Sequence, residues 1–152
     1  MFKTEFDYMY YLYEKYKSKN IDVTYEVEIT KKSRIDLVCL FKEHNFRLLF
    51  ELKDFRKGNY TNLLKRFSHL LKEVRNYQED IFKTGYKDIF IIGILMPENI
   101  PIERFNQILE LFLSHQIYFL DNQDKIVRLP LKYVPDKKNI KMLNEFNLII
   151  SS

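Results

Sequence analysis

Asp36, Glu51 and Lys53 are the residues of this chain whose types and spacing can do chemistry: an aspartate, fourteen intervening residues, then Glu-x-Lys. The strings IDLVCLF (35–41) and FRLLFELK (46–53) are strand-like, and KEHN between them is short enough for a hairpin. A turn centred between Glu43 and His44 pairs Phe41 with Phe46, Cys39 with Leu48, Val38 with Leu49 and Leu37 with Phe50. These pairs are apolar on both sides, which supports the register; Leu40 with Arg47 is the mixed one. The next pair out is Asp36 with Glu51, with Cβ atoms ~5 Å apart. Like charges so placed repel unless a proton or a cation lies between them. Strand alternation puts Lys53 on the face of Glu51 and turns Leu52 away. Two hard oxygen donors beside an ammonium suit Mg²⁺ or Mn²⁺. Such a group can offset charge on a phosphodiester and orient an attacking water.

Other elements must position this patch. Residues 4 to 18 read as a helix capped by Thr4, with Phe6, Met9, Tyr10, Tyr13 and Tyr16 at helical spacing. DVTYEVEI (22–29) alternates as a half-buried strand does. From about Thr61 to Lys83, Leu63, Phe67, Leu70, Val74, Tyr77 and Ile81 form one apolar stripe, widened by Leu64, Leu71 and Phe82, and Gly85 fits as its stop. IFIIGIL (89–95) reads as a strand buried on both faces, residues 102 to 114 as a helix, and IYFLD (117–121) as a strand. A short helix and a final strand are expected after Pro130. The order predicts an α/β fold with a mixed central sheet flanked by helices.

The chain has 152 residues, the size of one domain, with 46% hydrophobic and 30% charged residues. One cysteine, Cys39, excludes an internal disulfide and a Cys-built zinc site. No apolar run approaches the ~20 residues that span a bilayer, and no signal-like N-terminus is visible, so a cytoplasmic protein is expected. The net charge is +4. The excess is local: between Leu52 and Asn76 stand Lys53, Arg56, Lys57, Lys65, Arg66, Lys72 and Arg75, against Asp54 and Glu73. A basic patch of this kind suits an anionic partner.

Ile35-Asp36 … Glu51-Leu52-Lys53 resembles the motif of the PD-(D/E)xK nuclease superfamily, which includes restriction endonucleases and Holliday junction resolvases. SRIDLVCLF and RLLFELK are similar to its second and third core strands, and the resemblance covers about residues 4 to 96. It implies a restriction-endonuclease-like α-β-β-β-α-β core within a single domain, 1–152. It makes residues 97–152 a C-terminal extension, the candidate dimer or specificity element. By the resemblance, Asp36 and Glu51 bind the metal with the backbone carbonyl of Leu52, and Lys53 assists the water. Glu5 on the first helix is the best match to an added glutamate, with Glu14 behind it, and Gln78 is a candidate for a glutamine on the later helix. This chain has Ile35 where the name-giving proline stands.

The expectation is a Mg²⁺- or Mn²⁺-dependent DNA endonuclease acting as a homodimer, away from membranes. Arg56, Lys57 and Tyr60 beside the site, with Lys65 and Arg66 on the helix, are the candidate nucleic-acid contacts. Glu26 is an accessory candidate, although a solvated strand face is its simpler reading. His44, His69 and His115 share no metal-ligand spacing and read as structural or surface residues. The tyrosines of the first helix read as core or interface rather than base-stacking platforms. The alternatives are a non-catalytic nucleic-acid-binding or assembly module on the same fold and, third, a nuclease acting on RNA.

Overall fold

In the computed structural model, described for residues 1–100, 102–127 and 136–152, α1 spans Glu5–Ser18 and is capped by the Thr4 hydroxyl, which accepts the Asp7 N–H at 3.1 Å. Strands β1 (Asp22–Glu28), β2 (Arg34–Phe41) and β3 (Phe46–Asp54) follow. Then come α2 (Tyr60–Asp80), β4 (Lys87–Leu95), α3 (Asn106–Ser114), β5 (Ile117–Phe119) and α4 (Lys137–Ser151). The sheet runs β1-β2-β3-β4-β5, antiparallel across the first three strands and parallel from β3 to β5. It is an α/β fold: a mixed five-stranded sheet flanked by helices.

From Leu37 to Phe41 the expected hairpin register is the observed one, but the expected Asp36–Glu51 pair is not part of the ladder, which ends at Leu37–Phe50. Leu37 pairs with Phe50, Val38 with Leu49, Cys39 with Leu48, Leu40 with Arg47 and Phe41 with Phe46. A short 3-10 turn, Lys42–His44, and left-handed Asn45 (φ 57°) close it. β3 is buried along most of its length because the sheet is covered on both sides. Leu48, Phe50 and Leu52 face α1 and α4 with Tyr16 and Phe146. Leu49 faces α2 and α3 with Leu63, Phe67, Leu70, Val74 and Phe112. Arg47, mid-sheet on that second face, is neutralised by Asp88 at 2.7 Å from the adjacent strand. Gly93 is required by close packing: a Cβ there would lie 2.7 Å from both Leu52 Cδ2 and Tyr8 Oη.

Three further expectations are corrected. The long helix ends at Asp80, not Lys83, and Gly85 is not its stop. Ile81 is already extended, because the Phe82 N–H leaves the helix to donate to the Ile29 carbonyl at 2.7 Å. Phe82 is therefore exposed rather than part of the stripe. The third correction is at the C-terminus, which is helical to Ser151 with no final strand. Met142, Leu143, Phe146 and Ile150 recur at helical spacing and are buried beside α1. Residues 130–135 of the expected short helix lie outside the described residues. The segment after residue 96 thus supplies a core layer, whatever else it does.

Candidate active site

The β2–β3 ladder stops at Leu37–Phe50, and beyond it a side chain takes over the pairing. Oδ2 of Asp36 accepts the backbone N–H of Leu52 at 2.7 Å. This pins Asp36 against the end of β3, beside Glu51. On the other side of β2, the β1 ladder skips one position: Tyr25 pairs with Leu37 and Val27 with Ile35, while Glu26, between them, is left-handed (φ 50°). The regular alternation of β2 breaks at the same place. Ile35 and Val38, three residues apart, both join the α2-side cluster. The breaks in both ladders thus fall at Asp36, where neither β1 nor β3 pairs with its backbone in register. Glu26 itself is exposed.

Glu51 is 5% exposed, and its Oε2 is buried with no hydrogen-bond partner among the described residues. Burial first, and then the hydrogen bond and negative charge of Asp36, hold its carboxyl far above the usual carboxylate range. Lys53 opposes this shift only in part. Lys53 Nζ lies 3.5 Å from Glu73 Oε2 on α2. Burial pulls the lysine pKa down, but Glu51, Glu73 and Glu5 together raise it above its ordinary value, so Lys53 is an ammonium. Glu73 in turn accepts the Tyr77 hydroxyl at 2.6 Å, one helical turn on. Glu5 stands in the exposed first turn of α1, yet partial burial raises its carboxyl pKa. Lys53 lowers that pKa, while Asp36, Asp54 and Glu73 add to the rise. Glu5, Asp36, Glu51, Lys53 and Glu73 therefore form one electrostatic unit, assembled from α1, β2, β3 and α2.

The donor set fits a hard divalent cation. Two carboxylates and the Leu52 carbonyl are oxygen ligands, and the orphaned Glu51 Oε2 is a buried acceptor that lacks a cation or proton donor. Among the described residues no three His, Cys, Asp or Glu side chains form a ready-made cage, so waters and substrate oxygens would complete any coordination shell.

A cleft of about 360 Å³ opens from Lys53 and Glu73 along α2 between Phe55, Lys65, Arg66, His69 and Leu70. Lys65 is exposed on its rim. Arg66 is half committed: it donates to the Lys57 carbonyl at 2.6 Å and lies over the Phe55 ring, while Lys57 itself is exposed. Tyr60 is exposed but stacked on Phe105, with ring centroids 5.1 Å apart.

Two candidates have other employment. The Arg56 guanidinium grips both Asp54 oxygens, at 2.8 and 2.6 Å, and also donates to the Phe2 and Lys3 carbonyls. It is a clamp holding the chain before α1 to the end of β3, not a free cation. Gln78 donates to the His115 carbonyl at 3.0 Å and accepts from Arg75 at 2.7 Å, so its amide joins α2 to the end of α3. Sequence alone placed Glu73 among the acids opposing the basic patch, Tyr77 in the apolar stripe and His69 among structural or surface residues; the structure sets Glu73 beside Lys53, Tyr77 on Glu73 and His69 in the cleft wall. Their signal was positional: Glu73 lies beside Val74 on the edge of the buried stripe, four residues before Tyr77 and four after His69.

No protein-family model matches this chain, and no curated protein matches its sequence. A solved structure of a Silicibacter pomeroyi protein of unknown function is similar at a TM-score of 0.45 and 14% identity, over 92% of this chain and 80% of that one. Among the described residues no helix is long and apolar enough to cross a membrane.

Proposed function

We propose that this protein is a Mg²⁺- or Mn²⁺-dependent DNA endonuclease of the PD-(D/E)xK type, working as a homodimer in the cytoplasm. The observation that carries the reading is Asp36, fixed on the Leu52 N–H next to Glu51, whose Oε2 is buried and orphaned among the described residues, with Lys53 two residues on and 3.5 Å from Glu73. Asp36, Glu51 and the Leu52 carbonyl would hold the metal. When bound, the cation would offset negative charge on the scissile phosphate and lower the pKa of an attacking water. Asp36 is fixed by its backbone bond, so its second oxygen needs little reorganisation to act as a ligand. Lys53, with the Glu73 carboxylate 3.5 Å away, would donate a hydrogen bond to the water or to a non-bridging phosphate oxygen. Lys65 and Arg66 in the adjoining cleft neutralise flanking phosphates. Cutting both strands of a duplex needs two such sites, and each chain has one, hence the homodimer.

The test is cleavage of supercoiled plasmid with Mg²⁺, Mn²⁺ or EDTA. Nicked or linear product that needs metal, and falls by about 10²–10⁴ in Lys53→Ala, is the expected result. Equal product from Lys53→Ala, or none from the unaltered protein on plasmid and branched DNA alike, would overturn the reading. DNA binding without cleavage would leave the binding module as the function.

A further inference from the structure

A second cleft, of about 620 Å³, lies on the far side of Glu73 from the first. Its walls are the turn between β1 and β2, with Lys31 and Lys32, and the later turns of α2, with Asn76, Tyr77 and Asp80. Glu73 lines both clefts. Lys65, Arg66, His69 and Leu70 of the first cleft precede Glu73 on α2, and Asn76, Tyr77 and Asp80 of the second follow it, so the two clefts lie along one helix with the Glu73–Lys53 pair between them.

The β1–β2 turn is built to present its lysines rigidly. The Ile29 and Thr30 N–H groups both donate to the Ser33 carbonyl, at 3.0 and 3.3 Å, and the Lys32 N–H donates to the Thr30 hydroxyl at 3.2 Å. Thr30 is only 6% exposed. The Phe82–Ile29 backbone bond ties the turn to the chain leaving α2. Lys31 and Lys32 are exposed, and neither makes an ion pair among the described residues. Of the two acids in this cleft, Glu73 is already engaged by Lys53 and Tyr77, and Asp80 sits exposed at the rim. The turn thus offers two uncommitted cations on a fixed backbone.

We infer that Lys31 and Lys32 form a second phosphate-binding element, which holds the DNA strand on the side of the active site opposite Lys65 and Arg66. The inference rests on the nuclease reading for its substrate. From Lys65 to Asp80, α2 rises about 22 Å at 1.5 Å per residue. At about 3.4 Å of duplex axis per phosphate of one strand, that length matches roughly six base pairs of DNA. A strand so held runs past the carboxylates in both directions, which suits cleavage at internal bonds and entry of closed circles.

The test is binding of a fluorescein-labelled, 20-base-pair duplex in EDTA across a salt series. The variants are Lys31→Ala/Lys32→Ala and a charge-matched control, Lys138→Ala/Lys141→Ala on α4, across the sheet. The turn variant should raise Kd about tenfold and flatten the slope of log K against log salt by about 1.8, two phosphates' worth. The control should move neither by as much. An unchanged Kd and slope, or equal changes in both variants, would overturn the inference. Metal- and Lys53-dependent cleavage by the unaltered protein, alongside an unaffected turn variant, would sink the inference alone. Binding lost in the turn variant but no cleavage by any form would keep the phosphate element and sink the nuclease reading.

Discussion

The carboxylate of Asp36 does the work of a backbone carbonyl: its Oδ2 accepts the Leu52 N–H at 2.7 Å where the β2–β3 ladder has ended. Leu52 is fully buried, so this N–H has no water to fall back on. The bond fixes Asp36 on the residue next to Glu51, so the proposed ligand also has a structural role. Asp36→Ala should cost about 1–3 kcal/mol, the penalty for an orphaned buried donor. Asp36→Asn, which keeps an acceptor oxygen, should recover most of that loss while still lacking the charge a metal needs. Urea unfolding in EDTA checks the first part, and Mg²⁺- or Mn²⁺-induced stabilisation the second.

Glu51 makes metal-free stability fall with pH. Its folded pKa is raised above the unfolded value, chiefly by burial, so the folded state holds a proton that the unfolded chain releases. The stability from this group is complete below the ordinary carboxylate range and is lost as pH climbs towards the raised value. The slope is up to about 1.4 kcal/mol per pH unit. Glu51→Gln carries no ionisable proton and should remove that slope, melting higher than the unaltered protein at pH 8 in EDTA. Parallel pH–Tm curves for the two proteins would rule this out.

Lys53 owes part of its raised pKa to Glu73. Glu73→Gln deletes that charge but keeps an oxygen for the Tyr77 hydroxyl, so the fold should survive. The Lys53 pKa should fall, and the alkaline limb of the cleavage profile should move to lower pH. Tyr77→Phe, which loses only the hydroxyl bond, should shift it less. Lysine side-chain NMR titration follows the same change without cleavage.

Gly93 fixes how closely α1 approaches the β3–β4 pair. A methyl group there meets the Tyr8 hydroxyl and Leu52 Cδ2, so Gly93→Ala must push α1 outward or displace Leu52. Overpacking of this kind costs typically about 1–3 kcal/mol. Because Glu5 rides on α1 and the Leu52 carbonyl is a proposed ligand, metal-induced stabilisation should weaken as well. Calorimetry with and without Mn²⁺ separates the two effects.

The hairpin that brings Asp36 to Glu51 was determined by the sequence alone. Its apolar partners sum to a single register, and a slip of one residue would turn every one of them to the wrong face. The long helix was legible for the same reason, through a stripe at 3.6-residue period. Only the tertiary structure decided what the charged residues do, since their partners are distant in sequence. Arg56 became a clamp because the Phe2 and Lys3 carbonyls arrive beside it, and Gln78 was claimed by His115. Glu73 reached Lys53 only once α2 had packed on the sheet. The end of α2 was set by the Ile29 carbonyl, and the helical C-terminus by burial of Phe146 and Ile150 beside α1. Apolar periodicity is a local property that the chain carries with it. The pairing of charges, and the two clefts that meet Glu73, exist only between elements already packed.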